Sequence, residues 1–413
     1  MEERFSSQPV GYLFGRFGLL LVLAGLLLAA WYGQLVIVIV LGLVLSAAGI
    51  SKFWSRYSLV GVSCERWLSE RRVFPGEYIE LRLRLANRKL LPLPWIQLDD
   101  EIPVNFTPEV SLAPSSKPGF GFLSKTAALL WYTRVSWKQR LYGNRRGYYA
   151  LGPIVLTSGD IFGFYPRSVI QPLVDHVIVY PRIFSIAQLG IPPLYPIGEA
   201  TAELRIFEDP IRVIGVRDYS PHDSRRRIHW KASARHQSLQ VKVFEPTTLL
   251  NVAIFLVIDS FKVGSGEEDF ELGISTAASA ANHLIERRSS VGLFANSRLA
   301  DSGQPVEILP GSSTGQLVEM LESLAKVTHE ASVPFEKFWQ AEQARLPWGT
   351  TLVFILSTPL PSLTDLLVSL KESRHRLMVL QVGDQAERGI EPAIAWHNIR
   401  APGDFVKAGG ETR

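Results

Sequence analysis

Two apolar runs open the chain. Phe17 to Tyr32 is almost unbroken apolar sequence, and after Gly33-Gln34 the stretch Leu35 to Ile50 is apolar again. Each run, with its flanks, approaches the roughly 20 residues that cross a bilayer. Backbone groups in lipid must be satisfied within the segment, so both runs are expected to be helices, at about 17–32 and 35–52. The short link predicts an antiparallel hairpin. Trp31 and Tyr32 mark its tip, and Phe53, Trp54 and Tyr57 mark the far end, where interfacial aromatics belong. Arg4 and Arg16 precede the first run, Lys52, Arg56 and Arg66 follow the second, and the tip carries neither Lys nor Arg. The positive-inside rule then predicts a multi-pass protein of the inner (cytoplasmic) membrane, with both termini and the soluble domains in the cytoplasm. A signal peptide fits poorly, because the second run follows at once and no small-residue cleavage site lies between. Gly33-Gln34 and the lack of charge argue against one long buried helix.

The pattern then changes period. Tyr78 to Leu85 alternates apolar and polar residues, the signature of a half-buried strand. Val135–Trp137, Tyr148–Leu151, Ile154–Thr157 and Val177–Val179 are further strand candidates. Pro75-Gly76, Gly143-Asn144, Gly152-Pro153 and Ser158-Gly159-Asp160 punctuate them as turns. Residues 59–190 therefore read as an all-β, sandwich-like domain. Pro108 to Lys125, rich in Ser, Pro and Gly, reads as a long loop. Arg145-Arg146-Gly147-Tyr148-Tyr149 reads as a charged hairpin edge rather than a nucleic-acid patch, which needs aromatics spread over a basic face.

Residues 191–245 form a junction whose polar cluster runs from Gly215 to Arg235. Pro221-His222-Asp223 reads as a turn, and Asp223 or Ser224 is placed to cap a following helix. On that helix Arg227 would pair with Asp223 four residues earlier, and Trp230 would share the face of Arg227. Leu239 to Phe244 alternates as a strand. Three readings stay open for Arg225 to Arg227, Lys231 and Arg235. They form a salt-bridged, Trp-packed clasp between domains, or a contact for an acidic partner, or a phosphate or nucleic-acid site. His222, His229 and His236 recur every seven residues, but no carboxylate completes a familiar metal-ligand spacing.

From residue 246 to 413 strand and helix alternate. Asn251 to Ile258 is a continuous apolar run, as a strand buried on both faces requires, and ends at Asp259-Ser260. Glu268–Arg287 is helical with small residues on one face. Ser290–Phe294, Thr351–Leu356 and Arg376–Val382 are strands, and Thr314–Lys326 and Leu363–Ser373 are helices. This predicts an open α/β sheet covered on both faces, with functional positions beyond the carboxyl ends of its strands: Asp259, Ser260, Ser357 and Thr358.

Composition narrows the chemistry. A formal charge of +4 over 413 residues gives no overall pull toward nucleic acid, and none is expected as a partner. The single cysteine, Cys64, excludes an internal disulfide and any multi-cysteine metal site; it is either a packing residue or an acylation site. No G-x-x-x-x-G-K-[ST] loop, G-x-S-x-G elbow or H-E-x-x-H pair occurs, so nothing points to ATP hydrolysis, serine hydrolysis or zinc proteolysis.

The segment from Gly215 resembles the prokaryotic domain of unknown function 58 family, whose motif reads roughly G-x-R-x-Y-x-x-G-D-x-x-R-x-I-x-W-x-x-S-A-R. Gly215, Arg217, Tyr219, Asp223, Arg226 or Arg227, Ile228, Trp230, Ser233, Ala234 and Arg235 fit it, and His222 stands where the family usually has Gly. Arg145–Tyr148, Asp160–Gly163 and Val179–Pro181 also look like family segments. The resemblance implies two membrane helices, a β-rich region and a von Willebrand factor A-like (Rossmann-like) domain. It also implies a partnership with an AAA ATPase of MoxR type. The metal-ion-dependent adhesion site of von Willebrand A domains needs D-x-S-x-S after the first strand, to offer Mg²⁺ hard oxygens. Asp259 is present, but Phe261 and Val263 replace both serines, so the site reads as degenerate and no cofactor is expected.

The expected organisation is a tail and transmembrane hairpin (1–58), a β domain (59–190), the junction (191–245) and an α/β domain (246–413). The expected function is non-enzymatic: a membrane-anchored interaction or assembly factor. Its partner-binding or structural motif would be Arg217, Tyr219, Asp223, Arg226, Arg227, Trp230, Ser233 and Arg235. The rivals are a metal-dependent module with a non-standard site, and a phosphate or nucleic-acid binder using Arg225–Arg235.

Overall fold

A computed structural model of the protein describes residues 15–108, 111–190, 207–220, 228–247, 251–261, 267–359, 361–372, 375–383 and 394–401. Helix α1 spans Arg16–Trp31 and helix α2 spans Leu35–Ser58. Gly33, at φ +67°, reverses the chain between them, where a side chain would be strained. Tyr32 N–H donates to the Leu28 carbonyl at 3.0 Å and Gln34 N–H to that of Ala29 at 2.9 Å, which closes the end of α1. The two helices touch: a Cβ on Gly25 would stand 3.5 Å from Leu41. By length and composition α2 is able to cross a membrane, whereas α1 is a shorter apolar helix. Phe17, Leu21, Leu35, Val36 and Leu43 lie exposed along the pair.

Helix α2 does not stop near residue 52 but continues to Ser58. Nothing from Lys52 to Ser58 breaks a helix, and the last turn finds partners beyond itself. The Lys89 ammonium donates to the carbonyls of Tyr57 (2.7 Å), Val60 (2.6 Å) and Ser58. Arg167 donates to the Arg56 carbonyl at 3.0 Å, and the Ser55 hydroxyl to the Tyr165 carbonyl at 2.6 Å. Carbonyls that a helix end leaves without intrahelical donors are thus met by cations, which also suit its negative pole. Burial pulls the Lys89 ammonium down to about 8.

The β region consists of three small sheets around one core. One sheet orders Val62–Leu68, Tyr78–Asn87, Arg134–Gly143 and Phe106–Pro108, all antiparallel. The second orders Arg167–Gln171, Ile154–Ser158, Leu93–Pro103, Phe120–Leu129 and Ala113–Pro114. The third holds Arg72–Val73, Asp175–Val179 and Gly147–Leu151, so the Arg145–Tyr149 segment runs onto a sheet edge. The alternation read in residues 78–85 places Ile79, Leu81, Leu83 and Leu85 in the core, against Ile96, Leu98, Leu123, Leu141 and Leu156. The expected loop from Pro108 to Lys125 stops short of its expected end. Phe120–Leu129 is a ten-residue strand paired along Leu93–Pro103, with Ala113–Pro114 at its edge. Ser124, Thr126 and Ala128 stand on the outer face while Leu123 and Leu129 point inward, so composition hid the period.

One ion pair lies inside this apolar core. The side chains of Arg66 and Asp100 are both fully buried and joined by two hydrogen bonds, one of them at 3.2 Å. Arg66 also donates to the Leu151 carbonyl at 2.8 Å and lies 3.5 Å from Asp175. Burial drives the Asp100 carboxyl up to about 6, against the pull of the guanidinium. Cys64, two residues before Arg66 along Val62–Leu68 and so on the same face, is half-buried against the core. Its thiol is pushed up to about 12 by burial and by the nearby Asp100 carboxylate, which makes it a poor nucleophile.

The chain divides at Tyr180/Pro181, ahead of the expected boundary at 190. The second unit begins with a hairpin of Phe207–Asp218 and Gln240–Thr247, which carries the seven-residue helix α3 (Trp230–His236). A six-stranded sheet follows, ordered Val306–Gly311, Ser290–Ala295, Asn251–Leu256, Thr351–Leu356, Leu377–Val382 and Ala395–Ile399. Only its first strand is antiparallel to its neighbour. The helices are α4 (Glu267–Glu286), α5 (Gln316–Lys326), α6 (Phe335–Glu342) and α7 (Pro361–Glu372). Phe255, Phe354 and Val379 pack with Phe335, Trp339 and Leu367 of α6 and α7 on one face. Gly273 of α4 approaches Leu256 on the other; a Cβ there would fall 2.7 Å from Phe261, so only glycine admits the helix that close. Both faces of the central strands are buried, as their unbroken apolar runs require.

Candidate functional site

The motif residues of the junction are built into the hairpin and its helix. Arg217 lies exposed on the first strand, opposite Val241, and donates to the Asp218 carbonyl at 3.1 Å. Tyr219 N–H donates to the Leu239 carbonyl at 2.8 Å. Ile228 is buried and bridges to Val241, and His229 N–H donates to the Gln240 carbonyl at 2.8 Å. This extended pairing rules out one helix running from Asp223 through Trp230. Helix α3 starts only at Trp230, with His229 as its cap, where Nδ1 accepts from Ala232 N–H at 3.1 Å. Asp223, Arg226 and Arg227 lie outside the described residues.

Ser233 is the fastener. Its hydroxyl donates to the His229 carbonyl at 3.1 Å and accepts from Gln240 N–H at 2.8 Å, binding helix to strand. The Gln240 side chain, nearly buried, donates to Asp218 at 2.5 Å. On this scaffold Trp230 is 70% exposed, so it is not packed into a clasp. Lys231 and Arg235 are exposed beside it, and no residue of α3 is buried. A short helix held by side-chain hydrogen bonds thus presents an indole and two cations to solvent.

The second candidate lies at the carboxyl ends of the parallel strands. Asp259 sits in a single 3₁₀ turn after Asn251–Leu256. One carboxylate oxygen accepts from the Asn296 amide at 3.0 Å and from Phe335 N–H, the first residue of α6, at 2.8 Å. Asn296 is fully buried; it also donates to the Val333 carbonyl and accepts from Ile258 N–H, both at 2.9 Å. The Ser260 hydroxyl donates to the Val257 carbonyl at 2.6 Å and accepts from Ser357 N–H at 3.1 Å. Thr358 N–H donates to the Ser260 carbonyl at 3.2 Å, and the Ser357 hydroxyl to Asp269 at 3.4 Å.

Among the described residues, the donors at this strand end are largely engaged already. Ser260 is committed to backbone partners, Asp259 to an amide and a helix start, and Phe261 is buried. Among the described residues, no three of His, Cys, Asp and Glu gather to hold a metal ion. Sequence reasoning picked Asp259, Ser260, Ser357 and Thr358 from the strand-end rule. It missed Asn296 and Asp269, which bind them. For Asn296 the available signal was its place directly after the apolar run 290–295, the same rule applied to the neighbouring strand.

Residues 215–402, from the first glycine of the motif through the last described strand, match the family model described as Protein of unknown function DUF58. This C-terminal part of the chain, a little under half of its length, resembles the DUF58 family. The matched region takes in α3, its exposed Trp230 and the six-stranded sheet. The uncharacterized protein YeaD of Bacillus subtilis is similar at 24% identity over 297 residues, covering 69% of this chain and 67% of that protein. Among solved structures, a CARDB domain from Pyrococcus furiosus, determined with di-metal ions, is similar at 14% identity. It covers 29% of this chain and 91% of its own, with a TM-score of 0.19. The sporulation control protein Spo0M of Bacillus subtilis is similar at 10% identity, over 29% of this chain and 49% of its own, with a TM-score of 0.18. Neither structural likeness bears on function.

Proposed function

We propose that this protein is a non-enzymatic, membrane-anchored interaction or assembly factor that contacts an AAA ATPase of MoxR type through the face of α3. One observation carries the reading: Trp230 is exposed on a helix whose position is fixed by His229, Ser233 and Gln240. Tryptophan and arginine are the residue types on which binding energy concentrates, and a fixed side chain loses little freedom on binding. In this reading α1 and α2 both cross the inner membrane, and the two soluble units face the cytoplasm. The C-terminal unit serves as a von Willebrand factor A-like scaffold with no resident metal. The hydrogen bonds that occupy Asp259 and Ser260 support that last point.

The test is direct binding in detergent between the full-length chain and a purified MoxR-type ATPase from the same cells, with ATP present. Trp230→Ala is expected to weaken binding at least tenfold, the loss of about 1.4 kcal/mol or more. Ser233→Ala, which loosens the scaffold but keeps the indole, should weaken it less. No saturable binding by the wild-type chain refutes the partnership. Equal binding by Trp230→Ala moves the contact elsewhere.

A further inference from the structure

The β domain has two ends, and they differ in chemistry. The register puts the start of Val62–Leu68, the end of Tyr78–Asn87 and the start of Arg134–Gly143 at one end, since Val62 pairs with Asn87 and Ala86 with Arg134. The second sheet brings the start of Leu93–Pro103 and the ends of Phe120–Leu129 and Ile154–Ser158 to matching positions, since Leu93 pairs with Leu129 and Ile96 with Ser158. Helix α2 enters at this same end. The connections 88–92, 130–133 and 159–166 therefore lie at the end where α2 enters; two of them bond the end of α2 directly and the third is tied to the first. Lys89 grips the last carbonyls of α2, the Tyr165 carbonyl accepts from Ser55, and the Asn87 amide donates to the carbonyls of Leu91 (3.0 Å) and Leu130 (2.9 Å), tying two tips together.

Each of these connections exposes large apolar side chains. Leu90 is 74% exposed, Leu130 and Trp131 are close to 60%, Tyr132 is 67%, and Ile161 and Phe162 are 55% and 60%. Lys52, Arg88 and Arg134 are exposed among them. At the opposite end Phe74, Tyr78, Val104 and Val174 are exposed, but fewer of them are aromatic and they stand among both acids and bases, Glu70, Arg71, Glu77 and Lys117. A cluster of Trp, Tyr, Phe and Leu with basic residues, continuous with an apolar helix of membrane-spanning length, matches the interfacial zone of a bilayer. There aromatics favour the headgroup level and cations meet anionic lipid.

We infer that the α2-proximal end of the β domain is itself a lipid-binding surface, seated in the headgroup region through the tips at Leu90, Leu130–Tyr132 and Ile161–Phe162. The inference rests on the membrane-anchor reading. The occupant is the bilayer surface: the exposed tips are continuous with the end of α2, the helix of membrane-spanning length, which bonds directly to two of the connections that carry them.

The test places single cysteines, in a Cys64→Ala background of the full-length chain, at positions 90, 131 and 162, at Val40 within α2, and at Ser116 on the far end. Each carries an environment-sensitive fluorophore. The chain is reconstituted in phosphatidylcholine vesicles with a minor share of phosphatidylglycerol and shallow spin-labelled lipid as quencher. Quenching at 90, 131 and 162 is expected to exceed that at 116 several-fold. If Val40 is quenched while 90, 131 and 162 match 116, the lipid-binding surface is overturned and the anchor stands. If Val40 is not quenched either, the anchor reading falls and takes this inference with it. Three reporters on separate loops keep the result independent of any one variant's folding.

Discussion

The amide of Asn296 and the carboxylate of Asp259 are joined at 3.0 Å, and through that bond two strand ends and the start of α6 share one hydrogen-bonded knot. Asn296→Leu keeps the volume but removes the donor to Asp259 and Val333 and the acceptor for Ile258. Leaving such buried groups unmet is worth about 1–3 kcal/mol each, so a loss of several kcal/mol is expected. Hydrogen exchange of the full chain should show it first at Ile258 and Phe335. Unchanged protection at both amides would mean that the knot carries no stability.

Magnesium or manganese added to the full-length protein is expected to leave amide exchange at residues 257–260 and 335–338 unchanged. The reason is that one Asp259 oxygen is taken by Asn296 and Phe335 and the Ser260 hydroxyl by Val257 and Ser357, so a single carboxylate oxygen is left to offer an ion. A saturable increase in protection around Asp259 would restore a metal-binding role.

The buried Asp100 carboxyl gives the β domain a pH signature. Its folded value, about 6, lies above the ordinary carboxylate value, so the folded state binds the extra proton. Stability from this group is fully present near pH 4 and is lost as pH rises through about 6, a difference on the order of 3 kcal/mol. Exchange rates in strands Tyr78–Asn87 and Leu93–Pro103 should report it. The advantage of wild type over Asp100→Asn is expected to shrink between pH 4 and 7. An advantage that grows over that window means that Arg66, not burial, governs the carboxyl.

Lys89→Met removes the ammonium from the carbonyls of Tyr57, Ser58 and Val60. Hydrogen bonds to a charged group contribute about 1.5–3 kcal/mol, so the end of α2 should fray. Faster exchange confined to residues 55–62, with the β core unaffected, is the expected pattern. Indifference to the substitution would assign these carbonyls to water instead.

The sequence made regular elements legible wherever one period ran undisturbed. The alternation of residues 78–85 and the apolar runs 251–256 and 351–356 each mark a strand and how many of its faces are buried. Phe120–Leu129 escaped because its outer face takes Ser124, Thr126 and Ala128 after a Ser/Pro/Gly stretch, and composition outweighed the inward Leu123 and Leu129. The start of α3 was misplaced because Asp223 and Ser224 are good caps by type. The backbone of Ile228 pairs with Val241, and only after that pairing can the helix begin. Of the candidate site, the strand-end rule found Asp259 and Ser260. The partners of Asp259, Asn296 and Phe335, stand 37 and 76 residues away in the chain; the same rule applied to the run 290–295 points to Asn296, but no local pattern encodes its meeting with Asp259 and Phe335.

The grip of Lys89 and Arg167 on the last turn of α2 has a mechanical meaning. A helix that ended in a free turn would act as a swivel, and the domain beyond it could spin or nod without disturbing the helix. Here the final carbonyls are held by two side chains, one from the connection between two sheets and one from a strand of the second, so the joint has little slack. Torque applied to the β domain passes into α2 as rotation about its own axis, and a change in the tilt of α2 swings the domain by the same angle, as a crank follows its shaft.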